Sequence, residues 1–175
     1  MMRYDKNSQS AENIKKAFGD EAAGHARYML FGEEARRNGE EQLANVYDRL
    51  ASEELAHAEM WLREMGGVGG TEENLNASIA EEKHDWMMHY MPYASTADHE
   101  GYEELTERFL NTANVEKRHE AELKEILGSR RNGSFYRDSE AVEWRCGNCG
   151  YVGISENAPA VCPLCGYPRG YFRRG

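Results

Sequence analysis

Glu54-Leu-Ala-His57 and Glu116-Lys-Arg-His119 decide how this chain is read. In each, a glutamate and a histidine three residues apart fall on the same side of an α-helix and can offer one carboxylate and one imidazole to a common point. Both lie on stripes that ought to be apolar. The first stripe is Tyr47, Leu50, Glu54, His57, Trp61; the second is Leu105, Phe109, Thr112, Glu116, His119, Leu123, Ile126, with steps of three and four throughout. Ionisable groups set into core-facing stripes are costly unless an opposite charge meets them.

Outward from these motifs, the breaks are Asn38-Gly39, the glycine-rich run 66–70, Gly101 and Gly128, and Pro92 is the one proline before Gly128. They predict four helices, at 10–37, 40–65, 73–99 and 102–127, and a mainly α fold built as a four-helix bundle. The pattern repeats. Setting Gly39 on Gly101 places Ala35 on Ala97, Tyr28 on Tyr90 and Leu43 on Leu105, and each Glu-x-x-His begins 15 residues after its glycine. Glu21 precedes its glycine by 18 residues and Glu82 by 19. At about 1.5 Å of rise per residue, these glutamates meet the Glu-x-x-His motifs at one level of an antiparallel hairpin. Glu21 continues the stripe Ile14, Phe18, Glu21, His25, Tyr28, and Glu82 continues Leu75 and Ile79. The one extra residue between Glu82 and Tyr90 predicts a π-bulge in the third helix, and Pro92 predicts a separate kink there.

The candidate ligands are therefore Glu21, Glu54, His57, Glu82, Asp85, Glu116 and His119. Five carboxylates in a dry bundle would repel one another, and two metal ions supply the missing positive charge. One Glu-x-x-His alone would be read as a solvated helix face. Two copies at equal offsets, with glutamates at matching height, make the ligand pattern of the di-iron carboxylate bundles. Carboxylate with imidazole suits iron or manganese, with iron favoured. Tyr28 and Tyr90 are placed either to hydrogen-bond bound carboxylates or as plain core aromatics. His25, His84, His89 and His99 are expected as surface or supporting residues, and His25 shares the face of Glu21.

All four cysteines lie near the end, as Cys146-Gly-Asn-Cys149-Gly-Tyr and Cys162-Pro-Leu-Cys165-Gly-Tyr, two knuckles with 12 residues between them. Paired Cys-x2-Cys units bind one tetrahedral metal, with a glycine after each second cysteine permitting the tight turn. Zinc would make a structural ribbon and iron a one-electron carrier; the spacing leaves both open. Residues 1–128 carry 14 Lys/Arg against 27 Asp/Glu, whereas 129–175 carry 7 against 4. This predicts an acidic helical domain at 1–128, a linker at 129–141 and a basic cysteine module at 142–175. The overall charge of -10 argues against nucleic acid or an anionic membrane as a partner. Met1–Ser10 is polar and no apolar run approaches the roughly 20 residues of a membrane span, so a cytoplasmic protein is expected.

If the second and third helices ran parallel, about eight residues near Gly66–Glu73 would have to return along the bundle. At ~3.3 Å each they reach only ~26 Å. Exchange of hairpins between two chains removes that demand and predicts a homodimer.

Taken together the motifs resemble the rubrerythrin family over nearly the whole chain. Ala17-Phe-Gly-Asp-Glu21 leading to Arg27-Tyr28 is similar to the family's first helix, and Asn74-Leu-Asn-Ala-Ser-Ile-Ala-Glu-Glu82 to its third. Trp144-Arg-Cys-Gly-Asn-Cys-Gly-Tyr151 with Cys162-Pro-Leu-Cys165 resembles its rubredoxin-like module. The resemblance implies a ferritin-like four-helix bundle with two iron ions, favours iron over zinc at the cysteines, and implies reduction of hydrogen peroxide to water. It also implies an electron-donor protein, such as a rubredoxin or a reduced-nicotinamide-dependent reductase, and a subunit-exchanged dimer. In the family a second glutamate follows the match of Glu82 and exchanges with the match of His57 as iron changes oxidation state. Here that position is Asp85, one methylene shorter, and the family's tyrosine-proline pair has become Tyr90-Met-Pro92. The rival reading is a ferroxidase, oxidase or iron-handling protein with structural zinc at the cysteines. The cysteine module argues against it, because storage needs no dedicated electron donor.

Overall fold

Alanine and glycine, rather than large apolar side chains, bring the first two helices together. The computed structural model describes residues 4–175; the start of the polar Met1–Ser10 stretch lies outside the described residues. Helix α1 (Gln9–Arg37) begins at Ser8, whose hydroxyl accepts from the Ala11 amide, and folds back into α2 (Glu41–Glu64). Ala44, Ala51 and Ala58, seven apart, are buried in this hairpin with Ala11, Gly24, Gly32 and Ala35. Small side chains let the two backbones approach closely, and the larger residues of both helices are left at the edges.

The turn is set by Gly39 at φ 76°, from which the Gly39 amide donates to Arg36 O and the Glu40 amide to Ala35 O. Gly101, at φ 82°, closes the second hairpin with the corresponding bonds, to Asp98 O and from the Tyr102 amide to Ala97 O. This left-handed capping geometry is the reason for glycine at both places. The internal repeat is therefore also a repeat of turn geometry.

The third helix is one helical run in three parts: α3 (Thr71–His84), a π-helical turn (Asp85–Tyr90) and α4 (Met91–His99). The π turn lies between Glu82 and Tyr90, where the extra residue requires it. Pro92 falls in the first turn of α4, a position that tolerates a missing N–H, so the two irregularities read separately from sequence adjoin one another. Helix α5 (Glu103–Arg131) packs on this run, with Ala94, Ala97, Ala113, Leu127 and Glu120 buried.

Helix α5 extends four residues beyond the expected end at 127, carrying Arg130 and Arg131 in its last turn, where cations complement the helix dipole. Strand β1 (Arg137–Cys146) starts at once afterwards, so the loop is 132–136 rather than the longer stretch read as a linker. With β2 (Val152–Asn157) and β3 (Phe172–Arg174) it forms an antiparallel sheet in the order β2-β1-β3. Its core is Trp144, Cys146, Ala158, Cys162 and Phe172, and the buried Trp144 indole donates to Ser155 O at 3.0 Å. The chain divides into two units after Asn74, so each hairpin belongs to its own unit. The fold class is mainly α with a small rubredoxin-like module. Among the described residues no helix is long and apolar enough to cross a membrane.

Candidate metal centres

On the first hairpin, Glu21 from α1 meets Glu54 and His57 from α2, and the three ligand atoms lie within 4.8 Å of one another. His57 Nδ1 stands 3.4 Å from Glu21 Oε2. A hydrogen bond between the carboxyls holds Glu21 below its ordinary pKa and pushes Glu54 above it; burial and the charge of Glu21 add to the rise at Glu54. Gly24 makes room for this arrangement, since a Cβ there would sit 3.2 Å from Glu54 Oε2.

The second hairpin repeats the construction with Glu82, Glu116 and His119. His119 Nδ1 is again 3.4 Å from the first glutamate, Glu82 Oε2, and 2.8 Å from Glu116 Oε2. Burial raises the Glu82 pKa first, with the hydrogen bond and charge of Glu116 adding to it and His119 opposing. Each triad thus sets two carboxylates against one another. A divalent cation would relieve the repulsion, and the mixed carboxylate and imidazole donors suit iron.

Asp85 groups elsewhere. Its Oδ1 is 3.0 Å from His89 Nδ1 and 3.8 Å from His84 Nδ1, and these three residues form a separate cluster. A 3.6-residue period places residues five apart on different faces, which is why His84 and His89 were not paired from sequence. The signal was the extra residue: a π turn bonds i to i+5 and stacks such residues.

The two tyrosines make ring contacts. Tyr28 stacks on Tyr47 at 6.0 Å, and Tyr90 lies 6.4 Å from Phe109, the residue that matches Tyr47 in the repeat. His25 donates from Nδ1 to Ala51 O at 2.8 Å and ties α1 to α2, while His99 stands in the last turn of α4. Sequence reasoning overlooked Glu120. It is buried, accepts from Trp86 Nε1 at 2.8 Å and pairs with Lys124; the Lys124 bond, then the Trp86 bond, lowers its pKa.

In the C-terminal module the four sulfurs lie within 4.8 Å of one another, with Cys146 and Cys165 at 3.8 Å and Cys149 and Cys162 at 3.7 Å. The knuckles match bond for bond. Gly150 and Gly166 donate to Cys146 O and Cys162 O, each at 2.9 Å, and the Cys146 and Cys162 amides donate to Tyr151 O and Tyr167 O. The Tyr167 amide leads in lowering Cys165 to about 6. At Cys149 the Tyr151 amide likewise lowers the thiol, yet burial and the neighbouring sulfurs carry it up to about 12. Four thiolates this close do not all ionise without a cation, so the donor set fits a tetrahedral metal.

Paired Glu-Glu-His triads on helical hairpins, with a four-cysteine knuckle pair on the same chain, define a di-iron carboxylate protein carrying a rubredoxin-like module. The family model described as "Rubrerythrin" matches residues 12–73 and 73–143, and "Rubrerythrin, rubredoxin-like domain" matches 144–173. The chain belongs to the rubrerythrin family. It is 34% identical to a rubrerythrin of Porphyromonas gingivalis over 98% of this chain and 92% of that one. With a rubrerythrin of Nitratidesulfovibrio vulgaris it shares 32% identity, over 98% and 96% of the two chains. Among solved structures, the partially reduced state of nigerythrin covers 96% of this chain and 87% of its own at 22% identity and a TM-score of 0.38. Membership assigns iron to both kinds of site, two ions to the carboxylates and one to the cysteines, and makes the chain an iron-dependent oxidoreductase of oxidative-stress defence.

Proposed function

We propose that this protein reduces hydrogen peroxide to water, H2O2 + 2H+ + 2e− → 2H2O, at a di-iron centre assembled from both triads. Glu21, Glu54, His57, Glu82, Glu116 and His119 would hold the two ions. Ferrous iron held by these residues would supply the two electrons and the positive charge that the reduction needs. The residues supply the rest. Glu54 and Glu82, whose pKa values are raised beside Glu21 and Glu116, would meet the charge of the metal as carboxylates. A nearby carboxylate or imidazole would deliver the protons to the departing oxygen.

The complete centre would lie in a homodimer that exchanges hairpins. The hairpins support this reading by what they leave uncovered: Leu30 at 63%, Leu55 at 52% and Met60 at 50% exposure on the first, and Leu105 and Leu110 on the second. Patches of this kind mark association surfaces. Electrons would arrive from a donor protein, such as a rubredoxin or a nicotinamide-dependent reductase, through the four-cysteine iron. The basic module could dock on the acidic helices of the partner chain.

The observation that carries the proposal is the presence of a four-cysteine centre on the same chain as two matched triads, since an iron store needs no such carrier. Anaerobically reduced protein mixed with stoichiometric peroxide should show rapid oxidation of the bundle iron. Faster oxidation by oxygen than by peroxide would favour the ferroxidase reading instead.

A further inference from the structure

We propose that His84, Asp85 and His89 form a third, mononuclear site for a divalent first-row cation of the zinc or ferrous class. The inference does not depend on the peroxide reaction. One ligand atom from each of the three residues lies within 4.8 Å of the others. The Asp85 carboxylate is the hub, with Oδ1 at 3.0 Å from His89 Nδ1 and 3.8 Å from His84 Nδ1.

The π turn creates the cluster. Asp85 and His89 are four apart and His84 and His89 five apart; a π turn draws both spacings onto one face, whereas a regular helix would separate the imidazoles. The rings of His84 and His89 meet edge to face with centroids 4.6 Å apart, and His89 is held from its other side by Tyr93, stacked parallel at 5.8 Å. That stacking fixes the orientation of one ligand in advance, so less ordering is required on binding. The adjacent cation, Lys83, acts on the carboxyl of Glu120.

Two imidazoles and one carboxylate are the three-ligand set of open zinc sites and of non-haem ferrous sites, in which water completes the shell. His84 is 56% and His89 44% exposed in the side chain, so an ion can enter from solvent.

The test uses full-length protein with its iron sites filled, titrated with Zn2+ and compared with the His84→Gln, His89→Gln and Asp85→Asn variants. Bound zinc is counted per chain after gel filtration, and iron is measured in the same samples. Native protein should take up one additional zinc per chain, and each variant should bind it at least about 10-fold more weakly, with iron unchanged in the two histidine variants. Absence of an additional zinc in the native protein, or equal uptake by the variants, would overturn the proposal. So would a loss of bundle iron in the His84→Gln variant, which would assign that residue to the di-iron centre.

Discussion

A methyl group added at Gly24 would lie 3.2 Å from Oε2 of Glu54, while one added at Gly32 would lie 3.1 Å from Oδ1 of Asp48. The two clashes are alike in size and differ in consequence. Asp48 is an exposed partner of Arg36 and can give way into solvent, whereas Glu54 is fixed between Glu21 and the helix that carries it. Gly24→Ala is therefore expected to weaken iron binding in the bundle by about 10-fold, with the cysteine iron intact, while Gly32→Ala leaves both in place. Site-resolved iron analysis checks this. Trp86 makes a second residue-scale prediction. Trp86→Phe removes a donor from the buried Glu120 and should cost about 1–3 kcal/mol in stability, read from urea denaturation. The glutamates and histidines of the triads were legible because they interrupt apolar stripes at repeated offsets. Gly24 and Glu120 were not, since a glycine's role and a buried ion pair depend on what the facing helix presents.

Element by element, the hairpins were readable from their glycines, because only a left-handed cap explains Gly39 and Gly101 at matching places. The π turn was readable as one surplus residue, though the reading gave its location and not its consequence for His84 and His89. The third helix thus carries an insertion absorbed locally, and removing a residue should restore a plain α-helix. Met88, 60% exposed, can be deleted without opening a core position. The deletion is expected to preserve helix content by circular dichroism, because α4 regains its register through Ala94 and Ala97 against α5. It should leave the additional zinc uptake in place, because without Met88 the two histidines stand four apart and Asp85 three from the second of them, spacings that a regular α-helix also puts on one face. Lost uptake would show that the cluster needs the π turn itself. The boundary between α5 and β1 was the least legible element, because basic residues at 130, 131 and 137 read as a polar linker while serving a helix end and a strand start.

For the whole molecule, sequence alone joined a carboxylate centre to a cysteine centre, and the division after Asn74 sets one triad in each unit. The proposed function rests on two couplings, hairpin to hairpin and cysteine iron to bundle iron, and each can be tested separately. If chains exchange hairpins, thermal unfolding should depend on protein concentration, with the midpoint rising as the protein is concentrated and falling as it is diluted. A midpoint independent of concentration would argue for a bundle closed within one chain. The second coupling is tested at Cys149, the exposed member of the cysteine set. Cys149→Ser should remove the cysteine iron and its colour, leaving the triads, which share no residue with that module, able to bind iron. Reduced protein carrying this change should still consume one equivalent of peroxide in a single turnover, but turnover sustained by an electron-donor protein should fall by at least about 100-fold, a barrier increase of about 2.7 kcal/mol. Undiminished steady-state turnover would mean that electrons reach the bundle by another route, and the cysteine module would then be structural.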